Sequence, residues 1–250
     1  MTMLPDFSMT DWILAVIAAL AVGLSKAGFN AFVILTIVIM ARIMPAKEST
    51  GAIVPMLLAG DLIACTIYRR EVSWRELRDL LPMTLLGLLG GWVLMHYIPG
   101  EFFGRFLGWM ILLMMLVVLW QEFDRRLLSA IMNHPIFVNT SGFLSGVTTM
   151  MANASGPVMT FYLLAKKFDK MTFVGTCAWF FFATNLVKLP LSLNLGLITK
   201  KSLMMNIALL PAVVIGMILG RLLLGRIPQV VFDWVLIVIS IAASIRMIVT

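Results

Sequence analysis

The sequence predicts an all-α, polytopic membrane protein made of two repeats, each with one broken or re-entrant helical run followed by three transmembrane helices. Three observations carry that prediction. Of 250 residues, 61% are hydrophobic and 12% charged, where a soluble domain has about 45–50% and about 25%. The mean hydropathy is +1.02, and most of the apolar residues fall in runs near the roughly 20 residues that one helical span requires. The same order of runs then occurs twice along the chain. A water-soluble monomer and a separate soluble domain are both excluded.

In chain order, residues 1–11 hold Asp6 and Asp11 but no Lys or Arg, so the first apolar run lacks the basic flank of a signal peptide and is expected to stay uncleaved. From Trp12 to Ala41 the chain is apolar for longer than one span and is interrupted at Ser25-Lys26-Ala27-Gly28. It reads as two half-length helices meeting at a break. Whole spans follow at about 49–68, 80–98 and 102–120. Between the first two, Ser73-Trp74-Arg75-Glu76 has capping-box spacing and is expected to start a short interfacial helix. A second broken run, 135–165, is interrupted at Asn153-Ala154-Ser155-Gly156-Pro157. Spans at about 171–191, 202–225 and 229–249 complete the chain.

The repeats are therefore placed at 1–125 and 126–250. Pro82, Gly87, Gly91 and Pro99 recur 129 positions later as Pro211, Gly216, Gly220 and Pro228, and with an offset of 124 Gly51 matches Gly175 and Asp61 matches Asn185. Charge sets the expected topology. If each broken run returns to the side it entered from, eleven basic loop residues share one face and six the other. If each run crosses, the split is nearly even. The positive-inside rule favours the returning arrangement, with both termini outside and the repeats inverted, as in many secondary transporters. The formal net charge of +7 is thus loop bias and not a nucleic-acid footprint. The multi-pass chain is expected in the cell membrane, a bacterial inner membrane, with the lipid bilayer as its standing partner and a homo-oligomer left open.

Three ionisable residues interrupt apolar segments: Lys26, Asp61 and Lys188. They lie roughly 18–26 Å along their helices. Each costs about 2.5–3.5 kcal/mol at the centre of a span, so each needs a partner or a wet cavity. Lys188 could instead snorkel towards the end of its helix, and Asp61 could serve purely as a counter-ion. Together they sum to one positive charge, which calls for an anion. Each break also starts a new half-helix, whose first amides and dipole favour negative charge, with Ser155 or Asn153 as candidate caps. Ser25, Lys26, Gly28, Asn30, Thr148, Asn153, Ser155, Gly156, Asn185 and Lys188 are the candidate substrate-binding residues, and Asp61 is the counter-ion or carrier of a coupling proton.

Other features point to packing. Gly87-x-x-x-Gly91, Gly142-x-x-x-Gly146 and Gly216-x-x-x-Gly220 have the small-residue spacing of close helix pairs, and Cys65 and Cys177 lack disulfide or zinc spacing. No cofactor, metal set or catalytic constellation is visible, so an enzyme is not expected. A membrane-embedded accessory protein, with buried charges paired structurally and nothing carried, is the alternative to a carrier.

The segments Gly23-Leu24-Ser25-Lys26-Ala27-Gly28-Phe29, Pro55-Met56-Leu57-Leu58-Ala59-Gly60-Asp61, Tyr68-Arg69-Arg70 and Met150-Met151-Ala152-Asn153-Ala154-Ser155-Gly156-Pro157 resemble the TauE/SafE family of sulfite and organosulfonate exporters. So does the run Phe173 to Phe182, taken with Asn185 and Lys188. The resemblance covers nearly the whole chain and implies a duplicated membrane carrier of small sulfur-containing anions such as sulfite or sulfoacetate. Many relatives have a run of glycines at the first break, where this chain has Ser25-Lys26-Ala27-Gly28. A lysine at that place bears on which anion is preferred.

Overall fold

The computed structural model describes residues 4–29, 32–100, 134–165 and 168–223, with isolated positions in 102–116 and 241–249. Among the described residues the chain is helical, without strands. The expected spans 102–120 and 229–249 lie largely outside the described residues, as does Asn30.

The first run forms α1 (Met9–Lys26) and α2 (Phe32–Ile43). Ser8 caps α1: its Oγ accepts from Asp11 N–H at 3.1 Å, and the Asp11 carboxylate accepts from Ser8 N–H at 3.1 Å. The helix stops where Gly28 takes a φ of +111°, a conformation that costs glycine little and other residues more. After the break the chain turns back, so that Thr36 Oγ1 donates to Ala18 O at 3.0 Å. The expectation of two half-length helices is corrected: α1 has 18 residues and is long and apolar enough to cross a membrane, and only α2, with 12, is short. Apolar character runs uniformly through the segment, so nothing in composition could place the break off-centre.

Next come α3 (Ala46–Ala52) and α4 (Val54–Ile67), which join at Ile53 into one 22-residue membrane-length rod. Asn206 steadies the joint by donating from Nδ2 to Ala52 O at 2.7 Å. Helix α5 (Trp74–Tyr97) runs straight on through Pro82. The separate interfacial helix expected at Ser73 is absent. Ser73 makes no side-chain cap, its N–H donates to Thr176 Oγ1 at 3.0 Å, and Glu76 turns inward to accept from the Tyr162 hydroxyl. A buried hydroxyl outcompetes the local cap for that carboxylate.

The second run forms α6 (Pro135–Ala152) and α7 (Gly156–Ala165). It too pairs an 18-residue helix with a short one. Then come α8 (Lys170–Asn194), capped by Asp169, and α9 (Lys200–Leu223).

Two close helix pairs frame the molecule. Helix α1 packs on α9 where Gly23 faces Val213 and Gly216, and Gly216 in turn faces Leu20. Helix α5 packs on α6 where Gly87 faces Phe143 and Gly146, and Gly146 faces Thr84 and Leu88. A Cβ at any of these four glycines would collide with backbone of the partner helix, so the small residues set the approach. Between the pairs, α4 and α8 run antiparallel. At one end Ser73 meets Thr176, and at the other Gly51 receives Leu197.

Candidate functional site

The site lies where the two breaks face α4 and α8. Lys26 ends α1 and extends to Asp61 of α4, with Nζ to Oδ1 at 2.6 Å and both side chains almost fully buried. Asn185 of α8 donates from Nδ2 to Asp61 Oδ2 at 2.7 Å. Asp61 and Asn185, matched in the sequence at an offset of 124, are therefore bonded to each other across the antiparallel pair. The Lys26 ammonium also sits 5.0 Å from the centre of the Phe181 ring, one turn before Asn185, in cation–π range.

Asn153 organises the second break. It holds the left-handed conformation, φ 53°, that ends α6, which asparagine tolerates better than most residues. Its Nδ2 donates to Thr50 O at 2.8 Å, and its Oδ1 accepts from Lys188 Nζ at 2.6 Å. The same ammonium donates to Thr149 O in the last turn of α6, where a cation suits the negative end of the helix. Lys188 is fully buried. It does not snorkel, because carbonyl and amide oxygens meet it where it lies. The Asn153 amide is spent on Thr50 and Lys188.

A cavity with about 20 Å3 of room for water centres opens between the breaks, lined by Ser25, Lys26, Val33, Leu57, Thr149, Asn153, Ser155, Gly156, Phe181 and Asn185. Val33 belongs to the first turn of α2, and Ser155 and Gly156 stand where α7 begins, so both half-helix starts border one space. A smaller cavity of about 10 Å3 lies on the other side of Lys26 and Phe181, against Gly28, Val174, Cys177 and Ala178. Each is of the size that holds about one water.

Of the sequence candidates, Ser25, Lys26, Asn153, Ser155, Gly156 and Asn185 border the main cavity, and Gly28 borders the smaller one. Asp61 touches the site through Lys26 and Asn185. Lys188 stands behind Asn153, and neither cavity reaches it. Thr148 spends its hydroxyl on Leu144 O at 2.7 Å inside its own helix; its neighbour Thr149 lines the space instead. Phe181, Val33 and Leu57 escaped sequence reasoning because nothing distinguishes them from the other apolar residues of their helices. Thr149 carried a usable signal, four residues before Asn153 and thus on the same helix face.

Lys26, Asp61 and Lys188 are all engaged, and their formal sum is one positive charge; Glu76, also buried, lies apart against Tyr162. Among the described residues no three His, Cys, Asp or Glu side chains cluster as a metal site would require. Five helices among the described residues are long and apolar enough to span a bilayer, so the charged cluster belongs to a multi-pass membrane protein. No curated protein and no solved structure matches the chain. The family model described as Sulfite exporter TauE/SafE matches residues 13–247. That match takes in both breaks and every residue of the charged cluster, and the chain belongs to the sulfite exporter TauE/SafE family of membrane transport proteins.

Proposed function

We propose that the chain is a secondary transporter of small sulfur-containing anions, sulfite, sulfoacetate or related sulfonates, working by alternating access around the cavity between the two breaks. The observation that carries this reading is the cavity itself. A lysine, two half-helix starts and several hydroxyl and amide groups converge on it, and Lys26, Asp61 and the more distant Lys188 sum to plus one. Lys26 attracts the anion. Asn153, held by Lys188 and Thr50, fixes the second break. Asp61 balances Lys26 and is the group placed to carry a coupling proton.

The cavity holds about one water and must widen to admit an anion of four or more heavy atoms, which is the motion alternating access requires. We assign the cytoplasmic face to the loops after α4 and before α8, with both termini outside and the repeats inverted, in a bacterial inner membrane. The antiparallel run of α4 and α8 and the matched glycine contacts of α1 with α9 and α6 with α5 support the inversion. Transport is taken as outward, in line with the family's description.

Thermal unfolding of the purified protein with sulfite, sulfate, thiosulfate, sulfoacetate, isethionate and chloride tests the reading. A ligand at 100 times its Kd adds about 2.7 kcal/mol of stability. Selective stabilisation by a sulfur anion, lost in Lys26→Gln, is expected. A flat panel in the wild type, with Lys26→Gln merely less stable, would instead favour an accessory protein whose buried pair is structural.

A further inference from the structure

Asn185 is 3% exposed and borders the main cavity, and its two polar atoms have unequal fates. The Nδ2 group donates to the Asp61 carboxylate. The Oδ1 atom is buried and has no hydrogen-bond partner. While Asp61 is ionised in its pair with Lys26, flipping the amide would turn a carbonyl oxygen towards a carboxylate, so Asp61 then locks the orientation and Oδ1 is left to accept. Leaving such an acceptor unpaired in a buried site is costly, and a site with an orphaned polar group rejects ligands that leave it orphaned. Lys26 borders the same space and shares the Asp61 carboxylate with Asn185; its ammonium has three donors, of which one faces Asp61. A ligand there is bordered by a cationic donor on Lys26 and by Asn185, the residue with the unfilled acceptor.

Charge narrows the ligand further. Lys26 and Asp61 form a neutral pair, and Lys188, behind Asn153, supplies the one remaining formal positive charge, which a monoanion balances and a dianion overshoots next to a buried carboxylate. Resting on the carrier reading above, we infer that the site selects singly charged oxyanions that bring their own hydrogen-bond donor, hydrogen sulfite rather than the sulfite dianion or a donorless sulfonate. The anionic oxygens lie on Lys26 and the half-helix starts. The O–H of the anion donates a hydrogen bond to Asn185 Oδ1 and keeps its proton. This narrows the substrate from sulfur oxyanions and sulfonates at large to a protonation state, and makes the proton arrive with the anion.

The test uses the full chain in proteoliposomes and in detergent, with pairs of equal charge at one pH just below neutral: hydrogen sulfite against methanesulfonate, and hydrogen carbonate against nitrate. Binding by thermal shift and competition for labelled sulfite flux are both read. The donor-bearing member of each pair is expected to compete at least about tenfold better. Raising the pH above neutral at constant total sulfite should weaken binding as hydrogen sulfite is depleted. In Asn185→Leu the ratio within each pair should fall towards one. The wild-type series decides the matter even if that variant folds poorly. Equal competition by methanesulfonate and nitrate would overturn the inference and leave the carrier reading standing; a water molecule would then be what fills the Asn185 acceptor. No binding or flux with any of the four anions would overturn both.

Discussion

At the residue scale the molecule turns on a few polar side chains that an apolar segment would not hold without partners. Lys26 and Asp61 pair at 2.6 Å, and removing one partner strands the other. Asp61→Ala should therefore cost about 3–5 kcal/mol, while the double change Lys26→Met with Asp61→Leu should recover most of that loss and abolish anion binding. Chemical unfolding of the two single variants and the double variant checks this, and additive losses would count against a coupled pair. Asn153 gives a second case. Asn153→Gly keeps the left-handed backbone but loses the bonds to Thr50 and Lys188. Asn153→Ala should be worse by about 1 kcal/mol, because a Cβ is strained there. Lys26, Asp61 and Lys188 were legible as a set in the sequence, since charge inside an apolar run is conspicuous. Which lysine faces the cavity was not, because the choice depends on how α8 is rotated against α6, and helix rotation leaves no trace in composition.

At the element scale, both breaks join an 18-residue helix to a short one, and each stops at a residue in the left-handed region, Gly28 or Asn153. The sequence marked the breaks by their small and polar residues. It could not mark their depth, since the flanking residues are apolar on both sides. The Ser73 capping box failed for a tertiary reason, the Tyr162 hydroxyl that holds Glu76. Tyr162→Phe should cost about 1.5–3 kcal/mol, as expected for a hydrogen bond to a charged group, measured by thermal unfolding; no change would mean that Glu76 is held by other means. The opposite outcome at α8 shows a cap that forms. Asp169 accepts from Thr172 Oγ1 at 2.6 Å and from the Thr172 and Met171 amides, and these bonds, led by the Thr172 hydroxyl, hold its carboxyl below the ordinary carboxylate value. A lowered value means that the cap stabilises above the ordinary carboxylate range and is lost as pH falls through the lowered value. Protection from amide exchange in the first turn of α8, taken relative to the unstructured rate at the same pH, should then fall in acid, and in Asp169→Asn this pH dependence should vanish.

For the whole molecule, the two glycine-lined helix pairs carry the frame. Gly23 and Gly216 meet backbone of the opposing helix, as do Gly87 and Gly146. Gly146→Ala or Gly216→Ala should cost about 1–3 kcal/mol through overpacking, whereas Gly100→Ala, with nothing within 4 Å of the added Cβ, should be silent. Among the described residues the order of spans was legible because each bilayer crossing imposes a length. That α1 packs on α9 and α5 on α6 was not legible: two glycine stripes give a spacing but not the identity of the helix that fills it. The inverted arrangement predicts that single cysteines at Arg70 and at Thr199 react with an impermeant thiol reagent from opposite faces of the membrane, and labelling from one face would contradict it. The most direct measurement of the account is sulfite flux in proteoliposomes holding the wild type or Lys26→Gln at equal density. Saturable flux in the wild type, absent in the variant although it remains folded, is the predicted result; no flux above empty liposomes, or equal flux in both proteins, would contradict transport through the Lys26 site.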